Sequence, residues 1–545
     1  MEKKAKRKSS RAGRTPLPNL LTITRAAFTA AFLIIANTLI SSVILRQILL
    51  IVSLIISGFD LLLSSVDDFK SKDYFSSNII VSLVVIVFYI IGCHSEAVIG
   101  LVVYQLGQTM YNYAISLTKH SFYKNAAAEE ADIPKLRAIM AQSSNQSSPY
   151  EEIVRPYFEV FEKAAIVLGL LFAIILPLIS DMTYIMSIRR GLMLIAASFP
   201  FTIFISLRFC NSYALCFSAE YGVKIEDSSV FDKLTKLETI IFDKTDVFSD
   251  GSPKLTSVSS PAFDNNKFLM LAAYIASNSQ QKIAAPIVSA YGGDIKREVV
   301  SSFTDYPGCG MEASINGVKI LLGNKQLLEA RGISLTPEQI KKGYVLYMVI
   351  DSQYAGSITF NEEINPYASA VISDFKGMGN IKSVMLTEDS NEFSRKLAAR
   401  LNIDEVYGEC DELAKVNVVQ EFADAKTEGQ TLMYVNAENT ALHSAADIDA
   451  KLINGSGTAD ITTDNIGLFG LPVAYMSALR LKQLSRENVI FTILVKLLIV
   501  VLAITGNATL WFIMLLDFAA GIGTIMNVSR LTDLPIIDTL KDKMR

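Results

Sequence analysis

Eight stretches of this chain are apolar for long enough, or nearly so, to cross a lipid bilayer, which takes about 20 helical residues. They run Leu21–Val43, Ile48–Val66, Ser77–Cys93, Glu96–Leu117, Ala164–Ile179, Gly191–Cys216, Val489–Ile504 and Ala508–Met526. Such a series predicts a helical membrane bundle, because inside a bilayer a chain must satisfy its own backbone hydrogen bonds. The first stretch is too long for a cleavable leader, and a second follows almost at once. With 51% hydrophobic and 19% charged residues and a mean hydropathy of +0.35, the chain is too apolar for an ordinary soluble enzyme. The lipid bilayer is therefore its expected partner. A net charge of −4 gives no reason to expect nucleic acid. The five cysteines are scattered without a CxxC pair and only three histidines occur, which argues against a disulfide framework or a zinc-finger-like site.

The tail over residues 1–18 carries Lys3, Lys4, Lys6, Arg7, Lys8, Arg11 and Arg14 against a single Glu. A positive flank that dense marks the cytoplasmic side. An even number of spans returns the C-terminal tail, residues 531–545 with Lys541, Lys543 and Arg545, to the same side. The loops at Cys93–Glu96 and Gly506–Asn507 lack Lys and Arg, as outer loops should, whereas Arg189 and Arg190 would lie outside, against the rule. The expected layout is six spans in residues 19–217, with a short cytoplasmic linker at 118–163, and two more spans in residues 488–530, in a cell membrane with both termini cytoplasmic. Between the sixth and seventh spans lies a long polar region whose short strands alternate with helices. That alternation predicts an α/β domain with a parallel sheet.

The most informative string is Thr239-Ile-Ile-Phe-Asp243-Lys244-Thr245. A carboxylate at the C-terminal end of a central strand can attack the γ-phosphate of ATP and form an aspartyl phosphate. Mg²⁺ and a lysine then neutralise the phosphoryl oxygens. Three residues alone occur by chance in many chains, so the surroundings decide.

Those surroundings resemble the heavy-metal, zinc/cadmium-type P-type ATPases, whose phosphorylation domain is haloacid-dehalogenase-like. Pro200 precedes Asp243 by 43 residues, matching the family's distance from its fourth-helix proline to the phosphorylated Asp. Gly308-Cys-Gly310, with Glu312 and Leu321-Leu-Gly-Asn324, looks like the nucleotide-domain glycine motif, where backbone approaches the nucleotide closely. Leu386-Thr387-Glu388-Asp389 resembles the family's LTGD, Lys415 sits where the phosphate-binding lysine belongs, and Gly455-Ser-Gly-Thr458 matches a late GSGT string. Gly58-Phe-Asp60, Glu96-Ala97 and Leu106-Gly107 resemble family membrane segments, and Lys496 with Asp517 resembles the intramembrane pair of these pumps. The resemblance implies a phosphorylation domain in residues 218–258 and 361–487, with a nucleotide-binding-type insert at 259–360. It implies Asp243, Lys244, Thr245 and Lys415 as catalytic residues and Gly308, Gly310, Thr387 and Asp389 as nucleotide contacts. Lys496 and Asp517 become an ion-site remnant, ATP and Mg²⁺ the cofactors, and Asp243 a ligand of the Mg²⁺.

The departures from that pattern bear on activity. After Thr245 the family has Gly-Thr-Leu-Thr; here Asp246-Val247-Phe248-Ser249 brings a negative charge and removes a hydroxyl. Where the GDGxND motif would supply two Mg²⁺-binding aspartates, Tyr434-Val-Asn436-Ala-Glu438-Asn439 supplies neither, though Glu438 offers one carboxylate on a longer arm. Gln281 stands in place of the nucleotide-domain histidine. The Cys-Pro-Cys of the fourth helix is Phe199-Pro200-Phe201, which carries no thiolate, and Gln108 and Tyr111 replace acidic residues. The actuator domain has no room between the fourth and fifth spans, and no Thr-Gly-Glu occurs.

Plainer readings stand beside each assignment. Asp243 is otherwise a strand-end carboxylate that caps a turn, Lys496 with Asp517 a salt bridge locking two helices, and Gly308 with Gly310 a hairpin. Three functions remain open on the sequence: a pump-inactive relative acting as scaffold, sensor or regulator, with another pump or a regulatory protein as partner; an active cation pump with divergent motifs; and a membrane-tethered phosphatase or phosphotransferase using Asp243. The third is weakened because such enzymes carry a second Asp two residues on, where Thr245 stands.

Overall fold

The structure is a computed structural model that describes residues 20–72, 74, 76–126, 148–198, 201–245, 247–281, 283–306, 309–341, 344–389, 391–436, 445–452, 459–463 and 467–532. Gly308, Pro200, Asp246, Glu438 and the 455–458 string fall outside these residues. The chain divides into two compact units, one of residues 1–235 and 473–545, the other of residues 236–472.

The first unit is helical. Its helices are α1 (Leu20–Thr38), α2 (Val43–Lys70), α3 (Ser77–Ile90), α4 (His94–Ala126), α5 (Pro149–Ile179), α6 (Tyr184–Ala197), α7 (Phe201–Glu220), α8 (Gly470–Thr505) and α9 (Leu510–Val528). Among the described helices, α1, α2, α5, α8 and α9 are long and apolar enough to cross a membrane, and α3 is a shorter apolar helix. The apolar stretches understate several helices, because hydropathy sees only the lipid-facing portion. The stretch beginning at Ala164 lies inside α5, which starts at Pro149. There Ser148 accepts the Glu151 N–H at 3.0 Å and Pro149 occupies the first turn, a strong helix start. Likewise α8 starts at Gly470 rather than Val489, and the sixth stretch is divided between α6 and α7.

Packing in this unit follows membrane rules, in which small residues let backbones approach and polar groups bridge helices. Where α5 meets α6, a Cβ on Gly191 would stand 2.2 Å from the Gly169 carbonyl oxygen. Thr29 and Ser57 share a hydrogen bond at 2.6 Å between α1 and α2. Asn488 of α8 donates to Ser206 Oγ at 3.2 Å and to the Thr524 carbonyl at 3.3 Å. Glu151 is fully buried, and Arg208 donates to both its oxygens at 2.8 Å, with Arg155 as a further partner.

The second unit carries two sheets. Its strands are β1 (Leu237–Asp243), β2 (Ser249–Ser259), β3 (Val300–Tyr306), β4 (Gly310–Ile315), β5 (Val318–Gly323), β6 (Tyr344–Ile350), β7 (Gln353–Ile364), β8 (Lys382–Leu386), β9 (Glu405–Tyr407), β10 (Thr431–Asn436), β11 (Ile448–Lys451) and β12 (Ile461–Thr463). The strands β12, β11, β10, β1, β8 and β9 lie side by side in that order and run parallel. Both β1 and β10 are almost wholly buried, which explains their unbroken apolar runs. One face of the sheet packs Ile241, Val384, Leu432 and Tyr434 against Val419 of the helix Glu412–Ala425. The other sheet is antiparallel, in the order β2-β7-β6-β5-β4-β3, and buries Phe268, Ile275 and Ile287 from two helices against Met311, Leu322, Met348 and Ile358.

Candidate phosphoryl-acceptor site

Parallel sheets gather their chemistry at the C-terminal ends of the strands, where loops leave the sheet. Three such ends meet here. β1 ends at Asp243, β8 at Leu386 and β10 at Asn436. The register of Phe242 with Met385 and with Val435 sets the three ends level.

Asp243 is 8% exposed. Its Oδ2 accepts from Lys415 Nζ at 3.0 Å and from the Tyr434 hydroxyl at 3.3 Å, while its Oδ1 accepts the Thr245 backbone N–H at 3.3 Å. Lys415 reaches the site from the first turn of the helix Glu412–Ala425, whose start is fixed by Asp411 accepting the Ala414 N–H at 2.8 Å. Burial of Lys415 pulls its pKa down, but the Asp243 carboxylate and then Glu388, at 3.6 Å, outweigh it and leave the ammonium above its ordinary value. Burial first, and Asp243 second, push the Tyr434 phenol well above its ordinary value, so it remains a proton donor. Lys244 pairs with Asp389 at 3.3 Å.

The loop after β8 is stitched in place by its own polar groups. The Thr387 hydroxyl accepts the Asp389 N–H at 3.1 Å, Thr387 N–H donates to the Tyr407 carbonyl at 3.1 Å, and Cys410 N–H donates to the Thr387 carbonyl at 3.0 Å. Asn436 stands one step beyond the Val435–Phe242 pair, 2% exposed, and its side-chain amide has no partner among the described residues. The site thus brings together Asp243, Lys415, Thr245, Lys244, Thr387 and Asp389, all singled out in the sequence. The Tyr434 hydroxyl on Asp243 is an addition that the sequence did not signal, since a tyrosine in a buried strand reads as core.

Mg²⁺ prefers several hard oxygens, carboxylates among them, in near-octahedral geometry. Among the described residues, the Asp243 and Glu388 carboxylates both lie against Lys415, at 3.0 and 3.6 Å. Asp389 is engaged by Lys244, and Asn436 offers a neutral carbonyl oxygen. Each of Asp243, Glu388 and Asp389 thus already has an ammonium partner, Lys415 or Lys244, against which Mg²⁺ would have to compete.

Gly308 lies outside the described residues. Gly310 has φ +140°, and a Cβ there would stand 2.3 Å from the Leu322 carbonyl oxygen, across the β4–β5 pair. Sheet pairing alone therefore demands glycine at this position. Gln281 donates to the Tyr306 carbonyl at 3.1 Å and the Gly310 carbonyl at 3.0 Å, and also to Asp305, so its amide is committed to holding the strand ends.

In the helical unit, Lys496 of α8 and Asp517 of α9 form an ion pair at 2.6 Å, both largely buried. The two arginines that strain the charge rule both have partners. Arg189 pairs with Glu96 at 2.9 Å, Glu96 accepts the Leu510 N–H at 2.9 Å, and Arg190 donates to the Ile504 carbonyl at 3.3 Å.

Comparison with known proteins fits this arrangement. A profile of the haloacid dehalogenase-like hydrolases matches residues 237–435. A cadmium, zinc and cobalt-transporting ATPase of Bacillus subtilis is 26% identical over 416 residues, covering 74% of this chain and 58% of the relative. A zinc-transporting ATPase of Synechocystis is 26% identical over 415 residues, covering 74% of this chain and 57% of the relative. The chain thus spans less than two thirds of the length of these relatives. A crystal structure of a zinc-transporting PIB-type ATPase in its E2.Pi state shares the fold, with a TM-score of 0.62 at 18% identity, covering 94% of this chain and all of that one.

Proposed function

Because the chain belongs to the heavy-metal P-type ATPase family, we infer that it retains the family's phosphoryl-acceptor fold but does not pump, and serves as a membrane-bound sensor or regulator. The observation that carries this reading is the closed state of Asp243. Its Oδ2 is held by Lys415 and Tyr434, and its neighbour on β10 is the neutral Asn436. A pump of this family would need that carboxylate to attack ATP beside a metal cage, to be discharged by a hydrolysing loop, and to drive a cation site. The described residues supply Lys415 as an oxyanion partner and Thr245 N–H as a donor, but their carboxylates, Asp243, Glu388 and Asp389, are each paired with a lysine.

On family grounds ATP is the ligand proposed for the insert, and a regulator that senses nucleotide would partner an intact pump or another membrane protein. The basic tail supports cytoplasmic placement of both termini in a cell membrane.

The test is phosphorylation of the purified full-length chain with γ-labelled ATP and Mg²⁺, beside Asp243→Asn. The expected result is no acid-stable label on either protein. Acid-stable label that disappears in Asp243→Asn would overturn the reading.

A further inference from the structure

Close packing sorts the later helices of the first unit into two groups. In one, α4 lies against α9: a Cβ on Gly100 would stand 2.9 Å from Leu510, and one on Gly107 would stand 2.2 Å from Phe518. A Cβ on Gly523 of α9 would meet Phe491 of α8 at 3.6 Å, which adds α8 to that group. In the other, Gly169 and Gly191 bring the α5 and α6 backbones together.

Charge ties the second group to the first. Arg189 and Arg190 stand side by side in α6, and they serve opposite ends of the α8–α9 turn. Arg190 donates to the Ile504 carbonyl at 3.3 Å, in the last turn of α8, which holds no basic residue of its own. Arg189 pairs with Glu96 of α4 at 2.9 Å. Glu96 in turn accepts the Leu510 N–H at 2.9 Å at the start of α9, where Thr509 makes no side-chain cap. A guanidinium thus meets the C-terminal end of α8 and a carboxylate the N-terminal end of α9, each the end of opposite polarity. The turn between them is shaped around Arg190. Gly506 has φ +77°, and a Cβ there would stand 2.6 Å from the guanidinium. Charge-assisted hydrogen bonds of this kind are stronger than neutral ones and fix geometry as well as energy.

We propose that Arg189, Arg190 and Glu96 form a latch that locks the α5–α6 pair to α4, α8 and α9 at this end of the bundle, so that these helix ends open together. Rocking of one helix group against another is what opens a transporter to one side, and a latch across the two groups opposes it. Its assignment to the outer side rests on the cytoplasmic termini proposed above; the latch itself does not. It also accounts for two arginines in a place that the positive-inside pattern disfavours.

The experiment is hydrogen exchange, read by mass spectrometry, on the full-length chain in nanodiscs without ATP or added metal. It compares Arg189→Gln and Arg190→Gln with Arg46→Gln, a control in α2 whose side chain donates to Asn37 of α1. Were Arg190 only a local cap of α8, its loss would show at residues 503–506 alone. The latch predicts exchange faster by about fivefold or more at residues 503–506, at 510–513 of α9 and at 97–100 of α4, for Arg189→Gln and Arg190→Gln alike. Residues 523–528, at the far end of α9, should be unchanged, and Arg46→Gln should leave all these segments as they are. Should Arg189→Gln fail to fold, Gly506→Ala presses on Arg190 from the turn without removing a charge, and the same spread to residues 97–100 is expected. Faster exchange confined to residues 503–506, no change in any variant, or an equal rise at residues 523–528 would overturn the proposal. None of these outcomes depends on whether Asp243 is phosphorylated.

Discussion

Replacing Lys415 with methionine would leave the Asp243 carboxylate buried without its cation. At the observed 3.0 Å, the Coulomb attraction is about 5.5 kcal/mol at an effective dielectric of about 20. Desolvation offsets much of that, and removing one partner of a buried pair costs about 3–5 kcal/mol in practice. Tyr434 remains as a donor worth about 1 kcal/mol, so Lys415→Met should fall near the lower end, about 3 kcal/mol. Asp243→Asn alone leaves a buried ammonium with Glu388 still at 3.6 Å, which should cost about 2 kcal/mol. The double variant Asp243→Asn with Lys415→Met removes both charges, and its cost should fall at least about 2 kcal/mol below the sum of the single costs. The assay is hydrogen exchange of the β1 and β10 amides in the full-length protein, which reads opening of this sheet apart from the rest of the chain. The raised pKa of Lys415 fixes the sign of the pH effect: its contribution is fully present below the ordinary lysine pKa of about 10.4 and is lost as pH rises through the higher folded value. Single costs that add to within about 0.5 kcal/mol would refute the pairing argument.

Asp404 gives a prediction at the acid end. Burial alone would raise its pKa, but hydrogen bonds from Lys376 Nζ, Ser383 N and Ser383 Oγ hold it below the ordinary carboxylate range. Its contribution to stability is therefore present above about pH 4 and lost as pH falls through the depressed value. Asp404→Asn should flatten that acid limb in hydrogen exchange of β8. In the helical unit, Lys496→Met and Asp517→Asn should each lower the yield of folded protein in detergent several-fold, measured by size-exclusion chromatography, because each strands a charge. The double variant should recover most of the yield. Tyr434→Phe should open β10 more readily by about 1 kcal/mol, since it removes one buried hydrogen bond while keeping the ring in the core.

The parts of this molecule that were legible in the sequence are those fixed by local pattern. The strand into Asp243, the apolar runs and the alternation of strands with helices all follow from short-range periodicity, and each is present in the structure. Helix lengths were harder. The polar first turns of α5, and the polar stretch Arg480–Asn488 within α8, carry no hydropathy signal, although Ser148-Pro149 is a readable helix start. The partners of Arg189 and Arg190 lie on α4 and at the end of α8, so charge counting along the chain could not find them. The role of Tyr434 is illegible in the sequence for a related reason. Its hydroxyl reaches Asp243 because β10 pairs with β1 in one particular register, and register is a property of the sheet rather than of either strand. Gln105 shows the same limit, since the sequence marks it as polar but only the fold leaves its oxygen without a donor.

The proposal to be tested is that this chain, which shares the fold of a zinc-transporting ATPase, does not turn over as a pump. Full-length protein reconstituted alone in sealed vesicles, with Mg·ATP outside and zinc or cadmium in the medium, tests it most directly. Metal accumulation should be no greater than in vesicles containing Asp243→Asn. Uptake that depends on ATP and vanishes in Asp243→Asn would contradict it.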